Sequence, residues 1–108
     1  MISSVLAMLL LAPSPQAIVT ARRDYSACLS NFRKEKSKDK LELAAFETGL
    51  ATACAAKEQQ LRSAIVAVDT AAGIKRAVAE QGAGDEVEML RENVKELFLN
   101  ENPPAPKS

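Results

Sequence analysis

From Thr20 to Leu99 the apolar positions recur at helical spacing, and no stretch alternates with period two for long enough to make a strand. Ala21, Tyr25, Cys28, Leu29 and Phe32 fall at i, i+4, i+7, i+8 and i+11, which places them on one helix face. That helix is expected to open near Thr20 and to run out in Arg33–Lys38, where cations suit the negative end of the helix dipole. Asp39, with Glu42 three residues later, has the pattern of a capping box. Leu43, Phe46, Leu50, Cys54, Leu61, Ile65, Val68 and Ala72 then hold a stripe roughly 100° wide. Two arrangements meet that stripe: one long helix from Lys40 to Gln81, or a short helix broken at Thr48-Gly49. The second arises because glycine costs about 1 kcal/mol in a helix interior. Gly82-Ala83-Gly84 reads as a turn. Asp85 with Glu88 repeats the capping-box pattern and opens a last helix with Val87, Leu90, Val94, Leu97 and Phe98 on one face.

The N-terminus has a different character. Ile2 to Ala12 is almost wholly apolar, too short to cross a hydrocarbon layer, and is ended by Pro13 and Pro15. This is the layout of a secretory signal peptide, residues 1–17, cleaved after Ala17 or as late as Ala21. Its positive leading segment is missing, since the first basic side chain is Arg22. A helical domain over 18–100 and a disordered, Pro-rich tail over 101–108 complete the expected organisation. Two cysteines in a small exported chain are most simply a Cys28–Cys54 disulfide, whereas in a cytosolic chain they would be two reduced, buried thiols.

Short connections make consecutive helices antiparallel. The expected fold is therefore all-α: a small antiparallel helical hairpin or three-helix bundle with one disulfide. A turn near Asp39 sets Cys28 opposite Cys54, Phe32 near Leu50, Ala21 near Leu61 and Asp24/Tyr25 near Lys57. A turn at Gly82–Gly84 sets Val87 towards Val78, Val94 towards Ala72 and Phe98 towards Val68. Alanines at 44, 45, 51, 53, 55, 56, 64, 67, 71 and 72 would let the helices approach closely around a thin core.

Composition removes most chemistries. The chain has 108 residues, no histidine and no tryptophan, so it has no imidazole base, nucleophile pair or histidine metal ligand. Its 14 basic and 14 acidic side chains cancel, and it has few aromatics, which argues against nucleic-acid binding. No cofactor or metal is expected, and no catalytic role. The charge is nevertheless uneven along the chain. Residues 18–40 carry seven basic side chains against three acidic, a net +4, and residues 41–108 carry a net −4.

Arg33, Lys34, Lys36, Lys38 and Lys40 are thus either an anionic-surface patch or a solvated turn. Lys57 interrupts the long stripe and is expected to snorkel towards Asp24. Glu88, Glu92 and Glu96, interleaved with Arg91 and Lys95, read as a salt-bridged solvent face. Leu41, Val66, Ile74 and Met89 lie off the main stripes and could form a second apolar face for a partner helix or another copy of the chain.

The segment Thr52-Ala53-Cys54-Ala55-Ala56-Lys57-Glu58, followed by Gly73-Ile74-Lys75-Arg76-Ala77, resembles uncharacterised small exported α-helical proteins of proteobacteria. The resemblance covers Tyr25 to Phe98 and implies export and an all-helical fold, with no activity, cofactor or substrate. The expected role is a non-catalytic structural or protein-interaction one in the periplasm or outside the cell, with the chain itself or an envelope protein as partner. The alternative is a peripheral binder of anionic lipid or cell-wall polymer through residues 33–40, so membrane contact is at most peripheral.

Overall fold

A computed structural model describes residues 14–103; the expected leader up to Pro13 and the tail beyond Pro103 lie outside the described residues. Among the described residues the protein is all-helical, with four α-helices and one disulfide: α1 (Pro15–Lys36), α2 (Leu43–Ala53), α3 (Ala55–Ala71) and α4 (Arg76–Glu101). A short 3-10 turn over Ser37–Asp39 follows α1. The first helix begins five residues before the expected Thr20, because Pro15 occupies the first helical turn, where a missing N–H costs nothing.

The first reversal falls where expected, but not by the expected means. Asp39 ends the 3-10 turn and Lys40 adopts a left-handed conformation at φ 52, an arrangement costing a non-glycine residue about 1 kcal/mol. Glu42 becomes the N-cap of α2 without a side-chain cap, so the predicted capping box is not formed. The helix then passes unbroken through Thr48-Gly49. A Cβ built on Gly49 would stand 2.8 Å from the Phe32 ring, so this glycine serves the approach of α1. The interruption comes instead at Cys54, whose φ of −107 and ψ of 15 leave the helical region for one residue. Cys54 N–H still bonds the Leu50 carbonyl at 3.1 Å, and Glu58 N–H bonds the Cys54 carbonyl at 2.9 Å, so α2 and α3 continue in nearly one direction.

The second reversal overturns the sequence reading. The long helix does not reach Gln81; it ends at Ala71. Gly73, at φ 93, closes a Schellman motif in which Ile74 N–H bonds the Asp69 carbonyl and Gly73 N–H bonds the Thr70 carbonyl. Gly82-Ala83-Gly84 is therefore not a turn but the middle of α4, with Ala83 buried. Lys75 takes the N-cap position and the Asp85/Glu88 capping box is not used. Moving the turn back resets the register. Phe98 stacks on Phe46, ring centroids 4.0 Å apart, rather than approaching Val68.

The core joins Tyr25 and Leu29 of α1, Phe46 and Leu50 of α2, Leu61 and Ile65 of α3, and Ala83, Val87, Val94 and Phe98 of α4. Phe32 lies against Phe46 at 5.6 Å, so the three phenylalanines tie α1, α2 and α4 together. Little of the expected alanine seam forms: Ala64 packs against the core and Ala51 is half-buried. Ala44, Ala45, Ala53, Ala55, Ala56, Ala67, Ala71 and Ala72 are exposed, and the alanines that do enter the core are Ala21, Ala79 and Ala83. Leu97 likewise stays outside, while its neighbour Phe98 turns inward.

Two glycine substitutions separate helix propensity from packing. Gly82→Ala meets open space and should raise stability in dilute solution by about 1 kcal/mol. Gly49→Ala gains the same propensity but drives a methyl into Phe32, and a net loss of about 1 kcal/mol is expected from overpacking. Urea melts of both variants decide the point; equal gains would place the Phe32 ring elsewhere. Reduction of Cys28–Cys54, which closes a 26-residue loop, should cost about 3.5 kcal/mol on the chain-entropy model. A melting curve unchanged by reductant would remove the bridge from the stability of the fold.

Candidate interaction surfaces

Cys28 and Cys54 are joined as expected, with Cα atoms 5.9 Å apart and Cys54 buried. Tyr25 meets Glu58, Cys28 meets Cys54 and Phe32 meets Gly49 and Phe46, a reversed order that makes α1 antiparallel to α2 and α3. Cross-helix ion pairs set the remaining directions. Arg22 pairs with Glu86 and Arg33 with Glu101, so both helices advance together and α4 runs parallel to α1. Arg91 reaches Glu58 at 3.2 Å and Lys95 reaches Glu47 at 3.0 Å, so α4 opposes α2 and α3.

Parallel α1 and α4 bring the acidic end of the last helix to the basic turn. Of the five residues proposed as an anionic-surface patch, Arg33 is bonded to Glu101 and Lys36 to Asp39 at 3.6 Å. Lys36 also lies 5.9 Å from the centre of the Phe32 ring, within cation–π range. Lys34, Lys38 and Lys40 are exposed and without ion pairs among the described residues, and Glu35 and Glu42 stand among them equally unpaired. The sequence asymmetry of +4 and −4 is therefore folded back on itself. Beside the turn lies a mostly apolar groove of about 710 Å³, lined by Leu41, Leu43, Phe98, Leu99 and Pro103, with Lys40, Glu42 and Glu101 at its edge.

A second groove, of about 550 Å³, follows the seam between α4 and the α2–α3 segment. Its lining is charged with both signs: Glu47, Asp85, Glu88 and Glu92 against Arg62, Arg91 and Lys95. Glu58 is the centre of the adjoining network, bonded by Arg62 Nε at 2.9 Å and approached by Arg91 and by the Tyr25 hydroxyl at 3.5 Å. Burial raises the Tyr25 phenol above its usual pKa, and the Glu58 carboxylate adds to the rise. The Lys95 ammonium is also raised, by its bond to Glu47. Neither groove is lined by Ser, Thr, Cys or His, and no group of three metal-ligating residues occurs among the described residues.

Several expected roles resolve differently. Arg91 and Lys95 do not ladder along α4 as expected; apart from Lys95–Glu92 at 3.7 Å they cross to Glu58 and Glu47. Glu88 and Glu96 make no ion pair among the described residues. Lys57 is half-buried beside the bridge, in a depression that Asp24 shares, but the two form no ion pair. Glu58 as a hub escaped the sequence, since its partners arrive from α1 and α4; only its i,i+4 spacing to Arg62 was visible.

The proposed second apolar face also divides. Val66 and Leu41 pack against the core. Ile74 and Met89 are exposed, and Val78 and Leu97 join them at 58% and 48% exposure. Of the exposed large apolar side chains, Val78, Met89 and Leu97 lie on α4, Ile74 in the turn before it and Val19 on α1. No helix among the described residues is long and apolar enough to cross a membrane.

Tyr25 gives a pH-dependent signature. Its folded pKa lies above the unfolded value of 10.0, so the stability linked to the neutral phenol is complete below about pH 10 and is lost as pH rises through the folded value. Tyr25 is the sole tyrosine, so tyrosinate absorbance reports it directly. Ionisation should appear together with loss of helicity, and Tyr25→Phe should flatten that alkaline loss. Tyrosinate forming near pH 10 with helicity intact would contradict the burial argument. No protein-family model, curated protein or solved structure matches this chain.

Proposed function

We propose that the protein is exported, folds as a disulfide-stapled three-helix bundle, and acts without catalysis by associating with another protein through the outer face of α4. The observation that carries this reading is the exposure of Val78, Met89 and Leu97 on a helix whose other sides are engaged by core packing and ion pairs, with Ile74 exposed in the turn before it. The bridge supports export, because such bonds persist in oxidising compartments. The short apolar leader points the same way.

The fold also favours one cleavage point. Pro15, Gln16 and Ala17 are exposed, whereas Ile18 packs on the core and Ala21 is part of it. Cleavage after Ala17 keeps both, and cleavage after Ala21 removes both. The mature chain is accordingly expected to begin at Ile18. The absence of histidine supports a non-catalytic role by closing the commonest acid–base routes.

Peripheral binding of anionic lipid or cell-wall polymer through Arg33–Lys40 is the second reading, favoured by the apolar groove beside the turn. Glu101, Asp39, Glu35 and Glu42 weigh against it by cancelling the local field. Such a patch would bind steeply less well as salt rises.

Photocrosslinking residues placed at positions 78 and 89 should give adducts in the envelope fraction, and the same residue at exposed Ser63 should not. The recovered protein should start at Ile18 and should leave anionic vesicles unretained even at low salt. Adducts from Ser63 alone would sink the α4 reading, and salt-sensitive vesicle binding would favour the basic turn instead.

A further inference from the structure

Nothing in the local sequence calls for the break at Cys54. Thr52-Ala53-Cys54-Ala55-Ala56-Lys57-Glu58 holds neither glycine nor proline, and alanine is the strongest helix former. Gly49, a weaker position, is helical. Thr48 and Thr52 bond back to the Ala44 and Thr48 carbonyls, yet the chain through both stays helical. Packing does not require a break either. Phe46, Leu50, Cys54, Leu61 and Ile65 are all buried and keep one phase of the helical repeat across it. Ala53, Ala55 and Ala56 are exposed, so no neighbouring element covers the chain there. Between Leu43 and Ala71 the residue that leaves the helical region, at φ −107 and ψ 15, is the one bonded to α1.

The two sulfurs differ in access. Cys54 is 1% exposed, whereas Cys28 is half-buried and opens on a depression of about 520 Å³ beside the α2–α3 junction. Asp24, Asn31, Glu35 and Lys57 line the same depression, a polar surround suited to a small hydrophilic molecule. Thiol–disulfide exchange requires a thiolate to reach one sulfur of the bond. Cys28 offers that approach and Cys54 does not.

We propose that Cys28–Cys54 is a switch addressed by small thiols: the thiol attacks at Cys28, and loss of the bridge lets α2 and α3 close into one helix from Leu43 to Ala71. In the first step a bond forms between the incoming sulfur and Cys28 Sγ, and the bond between the two Sγ atoms breaks. The electron pair leaves on Cys54 Sγ, which takes up, through water, the proton that the incoming thiol gave up. A second thiol attacks the sulfur of the attached group, releasing Cys28 as a thiol and the reagent as its own disulfide. Two thiols are thereby oxidised as the bridge is reduced.

Closure of the helix reaches beyond Cys54. Ala55–Lys57 form the first turn of α3, whose N–H groups a helix leaves without partners of its own. Joined to α2, these groups meet the carbonyls of Ala51, Thr52 and Ala53. In the bridged chain Cys28 Sγ lies 3.9 Å from the Ala53 carbonyl oxygen, the acceptor that Lys57 N–H takes in a continuous helix. α2 also carries Phe46, which lies against Phe32 and Phe98, and Leu43, in the wall of the apolar groove beside the first turn. Re-aiming α2 therefore carries the state of the bridge to that groove.

Wild-type protein exposed briefly to mercaptoethanol and quenched in acid should carry the adduct on Cys28 by peptide mapping. Cys28→Ala and Cys54→Ala, each made together with Gly82→Ala to strengthen the fold, isolate the two sulfurs. In the folded variants free Cys28 should react with dithiodipyridine about a hundredfold faster than free Cys54, and urea should bring the two rates together. In the Cys28→Ala variant the backbone chemical shifts of Cys54 should turn helical. Amide exchange over Ala55–Lys57 should slow about tenfold or more relative to the bridged chain. An adduct on Cys54, or equal reactivity of the two thiols before urea is added, puts the attack at the wrong sulfur. A break that persists without the bridge assigns it to packing. A bridge-free chain with no stable helix over 43–71 leaves no second state. Each of these three results overturns the switch.

Discussion

The position of the reversal between α3 and α4 governs the rest of the molecule. A helix end leaves carbonyls without partners, and here Gly73 at φ 93 lets the chain fold back so that Gly73 and Ile74 N–H groups satisfy two of them. Because the turn comes at Gly73, α4 is 26 residues long and reaches back along the whole of α2 and α3. Phe98 then stacks on Phe46, Lys95 meets Glu47, and Glu101 arrives beside Arg33. A reversal nine residues later would have shortened α4 and moved each of these contacts.

Within that frame, a chain poor in large apolar side chains makes its core from very few. Tyr25, Phe46, Phe98, Leu29, Leu50, Leu61 and Val87 are almost wholly enclosed, and the bridge adds Cys54 at the centre of the α2–α3 segment. Most alanines of that segment face water instead, where their contribution is helix propensity rather than buried area. A core this small leaves a limited hydrophobic gain to set against chain entropy, which is the setting in which a covalent closure matters most.

Electrostatics follow from topology in the same way. In sequence the chain is basic first and acidic later, as if it would be strongly dipolar. In space α1 and α4 run parallel, so the basic turn after α1 and the acidic end of α4 share one end of the molecule. Cross-helix pairs absorb much of both charges. The large apolar side chains that stay exposed gather mostly on α4, at Val78, Met89 and Leu97, among exposed Glu88 and Glu96.

Local rules made much of this legible. Helical periodicity alone fixed the buried face of α1, the stripe from Phe46 to Ile65, and Val87, Val94 and Phe98, because a 3.6-residue repeat reports which side faces a core. Cysteine count and context were enough to pair Cys28 with Cys54. Glycine misled the reading. Gly49 and Gly82-Ala83-Gly84 carried the same breaking signal as Gly73, and propensity differences of about 1 kcal/mol cannot rank sites that tertiary contacts override. The partners of Glu58, the inward turn of Ala83 and the meeting of Glu101 with Arg33 depend on which helix lies beside which. The sequence by itself determined that these residues form helices with one apolar side and a covalent link. Only the tertiary structure decided where the chain turns back, since that choice is made by the sum of long-range contacts that a turn makes possible.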